Sequence, residues 1–149
     1  MKKVNALLLT LGIIGLGVFL FQSLGSTEPP TPNVTVGDTE IPTTQGSYCW
    51  DGLFSAKCVD MVYTSGWDMG MEHEPVKVSP NEKINVEFDK EPLENSLFVE
   101  KWTDEEEVIK IEMKNNTITA PAESGVYVYL IRANWKQGDG SYAFAVKVE

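Results

Sequence analysis

The chain has 149 residues, of which 42% are hydrophobic and 23% are charged, and its formal net charge at pH 7 is −10. Such a composition is typical of a globular protein and excludes a wholly disordered chain. All 22 acidic residues follow position 25. This part of the chain therefore repels phosphate backbones, and we expect no binding to nucleic acid.

The first 25 residues contain a short basic end followed by a long apolar run. Lys2 and Lys3 precede residues 4–24, a stretch that matches the ~20 residues a helix needs to cross a bilayer. Because basic residues stay on the cytoplasmic side, the rest of the chain is expected outside the cell membrane. We predict a single-pass membrane anchor over residues 1–25. The alternative is a signal peptide cleaved near Gly25, which would leave a secreted protein.

Residues 26–45 have a different composition, with four prolines, six threonines and no Phe, Tyr or Trp. Such a segment buries too little apolar surface to offset the entropy lost on ordering. It predicts a disordered Pro/Thr-rich linker, which would reach up to ~60 Å at ~3.1 Å per residue. The extracytoplasmic domain is then expected over residues 46–149.

Cys49 and Cys58 are the only cysteines in the chain. In an oxidising compartment, an even number of cysteines indicates a disulfide. A structural metal site of the zinc type needs more ligands than these two cysteines and one distant histidine provide. We predict a Cys49–Cys58 disulfide that constrains the first part of the domain, residues 46–74.

Trp50 and Trp67 lie in this same part of the domain, outside the strands predicted below. Two exposed indoles would form a binding platform for peptides or sugars, because a large exposed apolar patch marks an interaction site. They are the candidate binding residues.

Met69, Met71 and His73 occupy alternate positions, so on an extended segment their side chains would point the same way. Thioether and imidazole ligands suit Cu(I). These three residues are the candidate metal ligands, and copper binding is the second functional hypothesis. The leading hypothesis involves no cofactor.

After residue 75, apolar and polar residues alternate with a period of two, which is typical of β-strands with one exposed face. No helical periodicity and no internal repeat follows the first 25 residues. Asn115 and Asn116 predict a tight turn, since Asn tolerates positive φ, and residues 136–140 predict a hairpin loop. The predicted strands cover residues 75–78, 83–89, 96–102, 108–113, 117–120, 126–135 and 141–148. Short strands at this spacing predict an all-β protein with an antiparallel β-sandwich.

The segment of residues 123–127, Glu-Ser-Gly-Val-Tyr, resembles the tyrosine corner of immunoglobulin-like domains. The resemblance implies an immunoglobulin-like core over residues 75–149, with the Tyr127 hydroxyl bonded to upstream backbone. Trp102 falls on the third strand, where such domains often bury a tryptophan. Val86 and Tyr129 stand near the positions of the antibody inter-sheet cysteines, so the resemblance is to the wider sandwich class.

A second resemblance rests on residues 46–50 with Cys58, and on Trp135, Gly138 and residues 141–144. Taken together they resemble small exported or membrane-anchored proteins of Gram-positive bacilli. This resemblance implies a location and a fold but no activity.

The functional prediction is a non-catalytic interaction or accessory module held at the cell envelope, with an envelope protein or a glycan as its partner. No nucleophile signature or phosphate-binding loop occurs, and the numerous carboxylates show no spacing that singles out a catalytic pair. A carboxylate-dependent envelope enzyme is the weakest alternative.

Overall fold

A computed structural model describes residues 27–52 and 55–149 of the chain. The predicted membrane anchor or signal peptide lies outside these residues. Within them, no helix is both long enough and apolar enough to cross a bilayer. The described elements are β1 (Pro32–Val36), β2 (Thr39–Glu40), β3 (Thr44–Asp51), β4 (Ala56–Val59), α1 (Gly66–Gly70), β5 (Val76–Val78), β6 (Lys83–Phe88), β7 (Phe98–Trp102), β8 (Val108–Ile111), β9 (Thr117–Thr119), β10 (Gly125–Trp135) and β11 (Gly138–Val148).

The strands form two sheets. The four-stranded sheet has the order β2–β1–β6–β9, and the seven-stranded sheet has the order β4–β3–β11–β10–β7–β8. The seventh strand, β5, runs parallel to the second half of β11, whereas the other pairs are antiparallel. The prediction of an all-β chain with two largely antiparallel sheets is confirmed, and the arrangement is compatible with a β-sandwich.

The main core lies between the two sheets and contains side chains from both. Along β6, exposed and buried residues alternate from Lys83 to Phe88, as the sequence pattern predicts. The Phe88 ring from the smaller sheet lies 5.3 Å from Trp135 and 5.9 Å from Tyr142 of the larger sheet, both edge to face. These aromatic contacts join the sheets at the end where β10 turns into β11.

The prediction of a disordered linker over residues 26–45 is wrong for most of that range. β1 pairs with β6 along its whole length, and Val34 is only 1% exposed. Ile41 is equally buried. The physical reason is the placement of a few apolar residues: Val34, Val36 and Ile41 fill the core, while Pro32 stands at the entry of a strand, where proline is tolerated.

The two predicted turns have different outcomes. Asn115 and Asn116 form a tight turn with φ values of 51° and 57°, as predicted. The loop between β10 and β11 contains only residues 136–137, because Trp135 already pairs with Gly138. Gly138 has a φ of 151°, and a Cβ there would lie 1.9 Å from the Cys49 carbonyl oxygen. Only glycine allows the backbones to approach this closely.

A second apolar cluster covers the outer face of the seven-stranded sheet. Met69 of α1 packs there with Val128, Leu130, Ala143 and Ala145. The five-residue α1 had no signal in the hydrophobic periodicity. Its conformation depends on local contacts instead, since the Ser65 hydroxyl accepts a hydrogen bond from the Asp68 N–H at 3.1 Å.

Close contact between α1 and the sheet requires glycine at two positions. A Cβ on Gly70 would lie 2.3 Å from Val128, and one on Gly66 would lie 2.7 Å from the Trp102 ring. Trp102 is therefore half-buried in the outer cluster. The immunoglobulin-like resemblance implied a different place for it, in the core between the sheets.

Candidate functional site

The two ends of the seven-stranded sheet differ in how their edge strands are covered. At the β4 end, Cys49 and Cys58 lie directly opposite each other on β3 and β4 and are disulfide-bonded, which confirms the prediction. The Lys57 ammonium donates to the Glu28 carboxylate at 2.8 Å, and the Tyr48 hydroxyl donates to the same oxygen at 3.1 Å. We call this outer edge, residues 56–59, the β4 edge.

The structure does not bring Trp50 and Trp67 together as a binding platform. Trp50 is 3% exposed and packs against Trp135 between the sheets, with ring centroids 5.7 Å apart. Trp67 is half-buried and belongs to the outer-face cluster. The prediction of a shared exposed surface is contradicted, because β3 alternates and directs Trp50 into the core.

The three candidate metal ligands do not share one face either. Met69 lies in α1 rather than on an extended segment, and its side chain is buried over Gly46. Met71 and His73 are exposed. Within residues 27–52 and 55–149, no group of three or more His, Cys, Asp or Glu side chains is placed to hold a metal ion.

A cleft of about 320 Å³ lies on the outer face beside α1. A β-bulge in β3 creates it, because Gly46 and Ser47 together oppose the single residue Ser141 of β11. The Ser141 hydroxyl donates to the Ser47 carbonyl at 3.0 Å, and Ser47 in turn donates to Asp60 at 3.0 Å. These hydroxyls are therefore engaged in holding the loop that leads to α1.

The opposite end of the same sheet exposes apolar side chains. Phe98 on β7 is 54% exposed, and Val108 and Ile109 on β8 are 42% and 47% exposed. β8 is the last strand of the sheet, and no described strand pairs with its outer edge. We call this outer edge, residues 108–111, the β8 edge. Unpaired edges with exposed β-branched residues readily accept another strand.

A cleft of about 630 Å³ opens beside the β8 edge. Its apolar lining includes Leu97, Val99, Ile111 and Met113. Val99 is buried, whereas the other three pack on the core and remain half-buried. The main core is therefore incompletely covered where the sheet ends.

An adjoining cleft of about 430 Å³ is lined by three lysines, Lys83, Lys101 and Lys114. The Lys83 ammonium donates to the Thr119 hydroxyl at 2.7 Å, and the Lys101 ammonium lies 5.4 Å from the centre of the Tyr127 ring. Ile111 lines both clefts. The lining of the second cleft thus contains three lysines and one carboxylate, Glu112, beside the apolar lining of the first.

Carboxylates flank β8 in the sequence, at residues 104–107 before it and at Glu112 after it. Asp104 shapes the preceding turn, since its Oδ1 accepts hydrogen bonds from the Glu107 N–H at 2.7 Å and the Glu106 N–H at 2.8 Å. These two backbone donors hold the pKa of Asp104 below its ordinary value.

The backbone of β8 also presents free polar groups. The Thr103 N–H donates to the Glu107 carbonyl at 3.2 Å, and bonded pairs alternate with non-bonded pairs along an antiparallel ladder. The register carries this alternation into β8. Val108 and Lys110 consequently direct their N–H and C=O groups away from β7, whereas Ile109 directs its groups toward β7.

Sequence reasoning identified β8 as a strand but not as an edge. Its alternation of Ile109 and Ile111 with charged or exposed residues is the same on an edge strand and on an internal strand. The feature that could have indicated an edge is the run of four carboxylates next to this short apolar strand, because charged residues commonly accompany solvent-exposed edge strands.

Comparison of the chain with family models, with curated proteins and with solved structures found no match.

Proposed function

We propose that this chain is a non-catalytic interaction module of the cell envelope whose binding surface lies at the β8 end of the larger sheet. One observation carries the proposal: the last two strands expose Phe98 and Val108 on their outer face and Ile109 on the face toward the smaller sheet, beside a cleft that leads to the core. Exposed apolar groups at an open sheet edge are costly in an isolated soluble domain. A partner that covers them removes this cost.

The finer fold assignment is also a proposal: the domain is an immunoglobulin-like sandwich. The Tyr127 hydroxyl donates to the Glu123 carbonyl at 3.0 Å, as in a tyrosine corner. The order β5–β11–β10–β7–β8 in one sheet and β6–β9 in the other supports the same assignment. In such domains, edges and end loops commonly bind partners, which agrees with the proposed surface.

The proposed location rests on residues 1–25 alone. An uncleaved anchor would hold the domain on the outer side of the cell membrane, and the resemblance described for residues 46–50 and 141–144 implies the envelope of a Gram-positive bacillus. The full chain should then fractionate with membranes. Recovery of the protein solely from the medium, beginning near Ser26, would replace the anchor with a cleaved signal.

The binding surface can be tested by photocrosslinking in cells that produce the full chain. A photoreactive amino acid in place of Ile109 should form one discrete protein adduct. The same probe in place of Asp38, an exposed residue of the β1–β2 turn, should form none. The adduct at 109 should weaken when Phe98→Asp is added. Adducts of equal yield at both positions would place the binding surface elsewhere.

A further inference from the structure

The two faces and the outer edge of β8 together define what can bind there. Val108 and Lys110 offer outward N–H and C=O groups at alternate positions, which is the hydrogen-bonding pattern that an added strand requires. Ile109 and Ile111 lie on the side of the strand that faces the incompletely covered core. An occupant in extended conformation would satisfy the backbone groups and cover this apolar side together.

The inward side chains of such an occupant have to be apolar. They would lie next to Ile109 and Ile111 and above the cleft that Leu97 and Met113 line. The three lysines of the adjoining cleft disfavour a cationic side chain in this direction. β-Branched residues fit best, because they pack well against cross-strand neighbours.

The charge around β8 selects the remaining side chains of the occupant. Residues 104–114 contain five carboxylates and two lysines. Because the carboxylates outnumber the lysines, this stretch attracts a cationic segment, whose cations gain next to the flanking carboxylates rather than opposite Lys110 on the outer face. A second copy of the chain would place its own five carboxylates against them, so self-pairing through β8 is opposed by like charge.

We propose that β8 binds an extended cationic segment of another polypeptide by strand addition, with apolar residues facing inward and lysine or arginine at the alternate positions that lie beside the flanking carboxylates. The inference rests on the proposed function, because it specifies the partner of the same surface. The outward backbone groups of Val108 and Lys110 form the hydrogen bonds, and Ile109 and Ile111 form the apolar contacts.

The probe is a short synthetic peptide that alternates lysine with valine, tested against the full chain purified in detergent. A peptide with glutamate in place of lysine is its matched control. The lysine peptide should slow amide exchange at Val108 and Lys110 and leave Lys57 on the β4 edge unchanged. Two variants distinguish the contribution of the Lys110 backbone N–H from that of its charged side chain. Lys110→Pro removes both the outward N–H and the charge, whereas Lys110→Ala removes only the side chain.

We expect Lys110→Pro to weaken binding of the lysine peptide about ten-fold relative to Lys110→Ala. Equal affinities for the two variants, or equal binding of the two peptides, would overturn strand addition by a cationic segment. So would protection of the same amides by self-association without peptide. If Lys110→Pro does not fold, the exchange pattern of the unmodified chain decides alone.

The failure of this inference is distinguishable from failure of the proposed function. If no peptide binds but a probe at 109 still yields a discrete adduct in cells, the surface is a binding surface for a different partner. If both results are negative, the proposed function fails as well.

Discussion

The β4 and β8 edges both terminate the larger sheet with no described strand beside them, yet the two edge strands are held differently. At the β4 edge, the Cys49–Cys58 disulfide and the Lys57–Glu28 ion pair hold the last strand, whose only large exposed side chain is that of Lys57. At the β8 edge, apolar side chains are exposed and the described chain supplies no comparable cover. The two edges therefore differ in how firmly the last strand is held and in how much apolar surface it exposes, and an edge with exposed apolar residues invites pairing.

The largest expected difference in stability is between substitutions of an aromatic residue at each end of the larger sheet. Trp50→Ala removes a core side chain that is 3% exposed, and should lower the free energy of unfolding by about 3–5 kcal/mol. Phe98→Ala removes a side chain that is 54% exposed, and should cost less than about 0.5 kcal/mol. Urea melts of residues 27–149 measure both. A similar cost for the two variants would mean that Phe98 is part of the core.

The disulfide accounts for the next largest difference. Replacing both Cys49 and Cys58 by Ala opens a loop of about ten residues, which in the chain-entropy model costs about 2.7 kcal/mol. Both cysteines are exposed, so little packing is lost in addition. The matched variant at the other end is Val108→Ala, for which denaturant melts should show almost no change. A disulfide variant as stable as the parent would show that β4 is held by its remaining contacts.

A smaller effect tests the strand between the two edges, β10. Tyr127→Phe removes the hydroxyl that donates to the Glu123 carbonyl at 3.0 Å, and should cost about 1 kcal/mol. Tyr129→Phe is the control, because its hydroxyl is buried without a hydrogen-bond partner among the described residues. That variant should be neutral or slightly more stable. If chemical denaturation shows a larger loss of stability for Tyr129→Phe than for Tyr127→Phe, the proposed tyrosine corner is contradicted.

The smallest effect concerns pH at the β4 edge. The Lys57 ammonium and then the Tyr48 hydroxyl hold the pKa of Glu28 below its ordinary value of 4.5. Because the folded state has the lower pKa, this contact stabilises the fold fully above pH 4.5, and its contribution is lost as pH falls through the folded-state pKa. Thermal midpoints of the parent and Glu28→Gln should differ near neutral pH and converge in acid. A difference that persists in acid would rule out the charge of Glu28 as its cause.

Much of the fold after residue 75 follows from local alternation. The strand from Lys83 to Phe88 was predictable because one of its faces is exposed to solvent and the other is buried. The Asn115–Asn116 turn was predictable because asparagine tolerates the positive φ that it needs. The hydrogen bond from the Tyr127 hydroxyl to upstream backbone was predictable because its partner, the Glu123 carbonyl, lies only four residues upstream.

The parts that could not be predicted depend on contacts distant in sequence. Composition made residues 26–45 look disordered, and only the partner strand β6 shows that Val34 belongs to the core. Trp50 looked like a surface residue because nothing in its neighbourhood reveals β11, against which β3 lies. The metal-site prediction for Met69 considered only its neighbours in sequence, whereas its side chain packs on Gly46, which is 23 positions earlier. The β8 edge was not predicted because the local alternation of apolar and polar residues does not determine the order of strands in a sheet.

The docking of residues 28–30 onto the domain limits how far the binding surface can move. The Tyr142 hydroxyl donates to the Pro30 carbonyl at 2.7 Å, and Glu28 contacts Tyr48 and Lys57. A free segment of twenty residues would let the domain search a volume with a radius of up to ~60 Å. With the chain fixed to the domain from residue 28 onward, that search is lost. If the first 25 residues anchor the chain, only residues 26 and 27 separate the anchor from the docked segment, and the domain stays close to the membrane surface, where it meets membrane-proximal partners.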